Sequence, residues 1–357
     1  DVEIARALGE RGRFPYAAAL AAHLEYQPTR GEAATIGVLQ GFVPNEGDAW
    51  TYALDALGAF WERVLTYETG DPLPRPTLAD LLDAGGLEPP PVAWELIEPF
   101  LSAAQALGQR TAELHVALAS ISDPAFAPEP FTMLYQRSVY QGLRGQIDET
   151  WRLLRQNLAR LDPATAAAAE RLLPREDEAQ RVARRITAQK LDTVRIRTHG
   201  DYHLGQVLFT GSDFVIIDFE GEPASPLSQR RLKRSPVHDI AGMVRSFDYA
   251  AWISYANARE QGLVPQERAQ EAAEWARFWS GWVALAFVRS YLATAGPAPF
   301  IPQTPAGLAT LFELALLTKV AYELRYELNN RPNWAWAPLN GLLDLLDAAG
   351  KGATHGC

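Results

Sequence analysis

Apolar residues recur at three- and four-residue intervals along most of the chain, and period-two or continuous apolar runs are confined to a few short stretches. Ile4, Ala7 and Leu8 followed by Gly12 predict a short helix over 2–12. Residues 19–26 and 34–43 are β-like runs separated by the turn sequence PTRGE. Leu54, Leu57, Trp61, Val64 and Leu65 predict an amphipathic helix over 50–68, which the Pro-rich run DPLPRPT ends. Residues 94–120 read as one long helix, with Leu101, Ala104, Leu107, Thr111, Leu114 and Leu118 on its buried face and His115 among them as a core residue. Further helical blocks follow over 135–161, 164–173, 177–190, 237–251, 267–293, 305–327 and 338–346, and 350–357 reads as a frayed tail. In 237–251, Asp239 is placed to cap the helix.

One stretch departs from the helical period. Residues 193–222, TVRIRTHGDYHLGQVLFTGSDFVIIDFEGE, parse as a β run over 194–198, a polar loop over 199–206, a strand over 207–210, a Gly211-Ser212 turn, and a strand over 214–217 that ends on Asp218. Two strands hinged by a tight turn bring the ends of the segment together. Asp201 and Gln206 then face Asp218 and Glu220, a set of oxygen ligands that suits Mg²⁺, which takes a few carboxylates and completes its shell with water and phosphate oxygens. In phosphoryl transfer one aspartate orients the attacking hydroxyl, while an amide and a second aspartate hold the metal. Asp201 fits the first role and Gln206 and Asp218, with Glu220 beside them, the second. Two other readings stay open on residue types alone. His199, Asp201 and His203 are a ligand set that Zn²⁺ or Fe accepts, though Asp218 and Glu220 would then have no purpose. Alternatively the loop is purely structural, with His199 bonding backbone and Asp201 capping.

HGDYHLGQ followed by IIDFEGEP resembles the catalytic and metal loops of the aminoglycoside-phosphotransferase branch of the protein-kinase-like fold, and within it the maltokinase family. The resemblance extends through LQGFVPNEGDAW, KRSPVHDIAGMVRSFDYAA and YELRYELNNRPNW, which lie in the family's order across nearly the whole chain. Gln206 stands where most of the branch carries Asn, and Glu220 where protein kinases carry Gly; maltokinases resemble this chain at both. The resemblance implies an α+β fold, with a small lobe of a few antiparallel strands and hinge over 1–48, a mainly helical catalytic lobe over 49–349, and the tail. It implies ATP and Mg²⁺ as cofactors. It gives Glu3 the place of the helix glutamate that meets the nucleotide-binding lysine; an exposed first-turn glutamate favoured by the helix dipole is the other reading. Gln40 to Phe42 fall at the hinge whose backbone bonds adenine, although an ordinary central strand needs the same residues. Asp239, by the same analogy, braces the His199 loop.

A kinase-like small lobe begins with a Gly-rich loop and a strand lysine. No such loop occurs, and Lys190, Lys233, Lys319 and Lys351 all follow the hinge, so the sequence reads as the carboxyl part of a longer protein with a truncated small lobe. Some maltokinases are fused behind a trehalose synthase, which that reading allows. The implied reaction phosphorylates the anomeric hydroxyl of maltose to maltose 1-phosphate for glucan synthesis. Tyr322, Glu323, Tyr326 and Arg331 supply the aromatic platforms and polar groups a sugar site needs, with His203 either a substrate contact or a loop-packing residue. Tyrosines at this spacing also suit a core, and the glutamates a solvated face. A kinase of an aminoglycoside, choline or another sugar, and a non-catalytic interaction lobe, are the alternatives.

Composition narrows the partners. Of 357 residues, 48% are hydrophobic, ample for a large core. A net charge of −10 without a basic stripe argues against nucleic acid. The densest basic run, RRLKR at 230–234, is either a solvated loop or part of a phosphate-rich site. The single cysteine, Cys357, precludes an intrachain disulfide and fits a reducing cytoplasm. Apolar runs such as WVALAFV are too short to span a bilayer, so no membrane association is expected.

Overall fold

The computed structural model describes residues 2–12, 14–29, 34–67, 73–83 and 86–354, with side chains up to Gly350; Cys357 and Lys351's side chain lie outside the described part. Helix α1 (Val2–Ala7) runs into a π turn, Leu8–Gly12, and is followed by an antiparallel hairpin of β1 (Leu20–Tyr26) and β2 (Ala34–Gln40). Strand β3 (Gly47–Asp48) leads into α2 (Ala49–Val64), whose first turn is capped by the Asp48 carboxylate accepting Thr51 N–H at 2.7 Å.

The helix expected over 94–120 is two. After the short α3 (Leu78–Leu82), α4 (Pro91–Ile97) stops and α5 (Phe100–Ser120) starts, with Pro99 between them. Proline cannot donate the hydrogen bond that would carry one helix into the next, and it disfavours helical backbone in the residue before it. Strand β4 (Glu129–Pro130), α6 (Met133–Asn157), α7 (Pro163–Leu172) and α8 (Glu176–Arg184) follow. The β run expected over 194–198 is shorter: β5 (Val194–Arg195) pairs with β4, and Ile196 bridges Arg234.

Strands β6 (Val207–Phe209) and β7 (Phe214–Ile216) form the expected hairpin, and β3 joins it to give the order β3-β6-β7. Behind it come α9 (Leu227–Arg230), α10 (Val237–Glu260), α11 (Ala269–Ala295), α12 (Pro305–Asn330) and α13 (Trp336–Thr354). The helix α13 thus continues through residues expected to fray. The core is organised by α11, whose Trp275, Trp279, Trp282 and Phe287 are buried and which lies along α5. Gly108 of α5 makes that approach possible, since a Cβ there would sit 2.2 Å from the Phe287 carbonyl oxygen. Among the described residues no helix is long and apolar enough to cross a membrane.

Candidate active site

Asp201 sits on a loop whose shape is set from a distant helix. Asp239 of α10 accepts the backbone N–H groups of His199 at 2.8 Å and Gly200 at 3.0 Å. Capping is not its role: α10 begins at Val237 without a side-chain cap, and the loop's N–H groups, which need an acceptor once buried, take both Asp239 oxygens. The bracing expected by analogy is the arrangement present. His115 Nε2 lies 3.0 Å from Asp239, and His115 Nδ1 lies 2.9 Å from the Tyr291 hydroxyl, so His115 is a satisfied core residue. Burial alone would raise the Asp239 pKa, but the His115 bond and charge outweigh it and bring it down to about 2. His199 is held by burial below its ordinary pKa. Neutral, it donates from Nε2 to the Ile217 carbonyl at 2.9 Å, linking the loop to the end of β7.

The two ends of the segment do meet. Ile217 N–H donates to the Gln206 carbonyl at 3.0 Å, and Gly200, at φ 88°, packs so that a Cβ would lie 3.5 Å from Gly221 Cα. Asp218 itself has φ 61°, left-handed backbone that a non-glycine residue adopts only under local constraint. Neither its carboxylate nor the Gln206 amide makes a hydrogen bond or ion pair with another described residue. Glu220 is more exposed and lies 3.7 Å from Arg230. No three His, Cys, Asp or Glu side chains among the described residues group into a metal site by themselves. The available donors, one amide oxygen and one uncommitted carboxylate, are hard oxygen ligands of the few-carboxylate kind that Mg²⁺ takes alongside phosphate, so they fit that ion.

On the other side of Asp201 stands Lys319 of α12, its Nζ 3.4 Å from Asp201 Oδ1. Lys319 lines a cavity of about 490 Å³ together with Gly200, Glu222, His238, Tyr322 and Tyr326. The Tyr322 and Tyr326 rings are stacked with centroids 6.5 Å apart, and the Tyr322 hydroxyl donates to Glu222 at 2.9 Å. The rest of the block expected to bind substrate points elsewhere. Glu323 pairs with buried Arg245 at 2.7 Å, and Arg331 pairs with buried Glu327 at 2.7 Å, because a four-residue offset puts the glutamates on the helix face toward α10. His203 accepts Gly205 N–H at 3.1 Å and lies 3.8 Å from Asp201, as a loop-packing residue does.

The nucleotide-side residues are dispersed. Glu3 bridges Arg197 at 3.0 Å and Arg231 at 2.8 Å; burial raises its pKa, but the two guanidinium groups outweigh it and hold it below the ordinary value. Gln40 ends β2, and Phe42 beyond it is 88% exposed. The basic run 230–234 divides between roles. Arg230 donates to the carbonyls of Ser225 at 2.8 Å and Pro223 at 2.7 Å, Lys233 is buried 3.0 Å from Glu129, and Arg234 reaches the cavity wall. Lys319, Glu222 and His238 escape a sequence reading because each is a single polar residue in a helix or turn. The one available signal was that Lys319 precedes Tyr322 by three, on the same helix face.

The chain belongs to the phosphotransferase enzyme family, whose model matches residues 67–279. It is similar to the glucosamine kinase of Streptacidiphilus jiangxiensis, 26% identical over 254 residues, covering 70% of this chain and 50% of that protein. It is also similar to the glucosamine kinase of Mycolicibacterium smegmatis (strain ATCC 700084 / mc(2)155), 27% identical over 258 residues, covering 70% and 55%. The chain thus spans about half the length of the curated relatives it matches. A solved glucosamine kinase in complex with glucosamine, ADP and inorganic phosphate superposes with a TM-score of 0.72 at 22% identity, covering 99% of this chain and 74% of that one. The fold is therefore the α+β protein-kinase-like fold with a mostly helical large lobe.

Proposed function

We propose that the protein transfers the γ-phosphoryl group of ATP to a hydroxyl of a small sugar bound in the cavity beside Asp201. The observation that supports this reading is the 3.4 Å contact between Asp201 and Lys319, a residue that lines the cavity together with Gly200 of the Asp201 loop. Asp201 orients the acceptor hydroxyl and takes its proton as the oxygen attacks phosphorus and the bond to the ADP oxygen breaks. Lys319 adds positive charge where the transferring group develops negative charge. Gln206 and Asp218 would hold Mg²⁺, which when bound supplies charge neutralisation to the nucleotide phosphates; Glu220 stands at the rim. The nucleotide lies between the segment 1–48, with Glu3, Gln40 and Phe42 on its side, and the helical part 49–349. ADP in the solved glucosamine kinase supports ATP as donor, and such a donor fits a cytoplasmic enzyme.

For the acceptor we favour maltose, phosphorylated at its anomeric hydroxyl for glucan synthesis. The stacked Tyr322 and Tyr326 offer apolar ring faces, and about 490 Å³ leaves room beyond one sugar ring. That acceptor is compatible with fusion to, or association with, a trehalose synthase. Glucosamine is the second reading, favoured by the curated relatives. Phosphate transfer from ATP measured for maltose and glucosamine side by side separates them: a higher kcat/KM with maltose is expected, and the reverse order would make the protein a glucosamine kinase.

A further inference from the structure

His238 occupies the first turn of α10, next to the loop-bracing Asp239, and its side chain lines the cavity with Gly200, Lys319 and Tyr322. Consecutive helical residues point about 100° apart, so Asp239 serves the loop while His238 faces the cavity. Among the described residues its ring makes no hydrogen bond or ion pair, unlike His115 and His199, whose ring nitrogens are both engaged. A half-buried imidazole without partners pays a desolvation penalty unless a ligand or water supplies them. Arg234 and Lys319 face it with positive charge, Asp239 and Asp201 with negative charge. Burial, reinforced by Arg234, lowers its pKa to about 4, so at neutral pH it offers one N–H donor and one nitrogen acceptor.

We propose that His238 is a specificity-determining residue that contacts the acceptor, with its ring hydrogen-bonded to a sugar hydroxyl neighbouring the one phosphorylated. This rests on the sugar-kinase reading above. A hydroxyl both donates and accepts, so it matches either face of a neutral imidazole. The nearby Arg234 and Lys319, already charged, make a further cation at this position superfluous for binding phosphate.

The test uses the full-length protein with ATP and the better acceptor of maltose and glucosamine. His238→Leu should raise the acceptor KM about tenfold, the cost of one buried hydrogen bond, with the ATP KM and the melting temperature unchanged. His238→Gln, which keeps a donor and an acceptor, should recover most of the loss. An unchanged acceptor KM in His238→Leu, equal losses for both substrates with a lower melting temperature, or no difference between Leu and Gln would overturn the proposal and leave the kinase reading intact. Wild-type protein that phosphorylates neither sugar would instead remove the reading on which the proposal stands.

Discussion

At the scale of single residues, each aspartate of the site is given its task by its partners. Asp201 is paired with Lys319, which lines the cavity, so on the proposed reading Asp201→Asn should lower kcat by roughly 10²–10⁴-fold while isothermal titration still detects nucleotide and sugar binding. Asp218 has no partner among the described residues. Asp218→Asn should therefore cost little stability and abolish the Mg²⁺ dependence of nucleotide affinity in calorimetry; affinity that still responds to Mg²⁺ as in the wild type would remove it as a ligand. Asp239 is the opposite case, fully engaged by His115 and two backbone N–H groups. Its folded pKa of about 2 lies below the ordinary 3.8, so its contribution is fully present above pH 4 and is lost as pH falls from about 4 towards 2. Asp239→Asn should flatten the acid limb of a melting-temperature profile in that window, and an unchanged limb would show that other carboxylates set it. Asp201, Gln206 and Asp218 could be proposed from sequence because one short segment carries all three. Lys319 could not, since it arrives from 118 positions further on and only folding brings it beside Asp201.

At the scale of elements, helical periodicity located most helices, and the errors have physical causes. Pro99 splits α4 from α5, and α11 is apolar on nearly all sides, so its period says little about which face meets what. The α12 block was the hardest to read: spacing grouped Tyr322 with Tyr326 and Glu323 with Glu327, but it could not say which pair faces the cavity. The partners decide it, with Arg245 held between Glu323 at 2.7 Å and Asp248 at 2.6 Å. Glu323→Ala should consequently lower stability by about 3 kcal/mol, as breaking a buried ion pair does, with the sugar KM little changed. Denaturant unfolding alongside kinetics checks this, and a raised KM with wild-type stability would return Glu323 to the substrate site. Gly108→Ala should also destabilise, because the added methyl meets the Phe287 carbonyl of α11; a melting temperature equal to that of the wild type would show that the two helices have room to shift.

For the whole molecule, the fold was legible because several motifs, separated along the chain, pointed to one kinase-like fold, and the phosphotransferase enzyme family match over 67–279 bears out that fold. The acceptor was not legible, since the cavity proposed to hold it is assembled from α6, α10, α12 and the loop after β7, each contributing isolated side chains. We infer that this cavity presents a sugar hydroxyl to Asp201 for attack on ATP. The most direct measurement is transfer of labelled γ-phosphate to maltose and glucosamine by the full-length wild-type protein and its Asp201→Asn variant. Labelled sugar phosphate from the wild type, lost in the variant while both proteins bind the sugar equally, is the predicted result. Undiminished transfer by Asp201→Asn, or no labelled sugar from either protein, would contradict it.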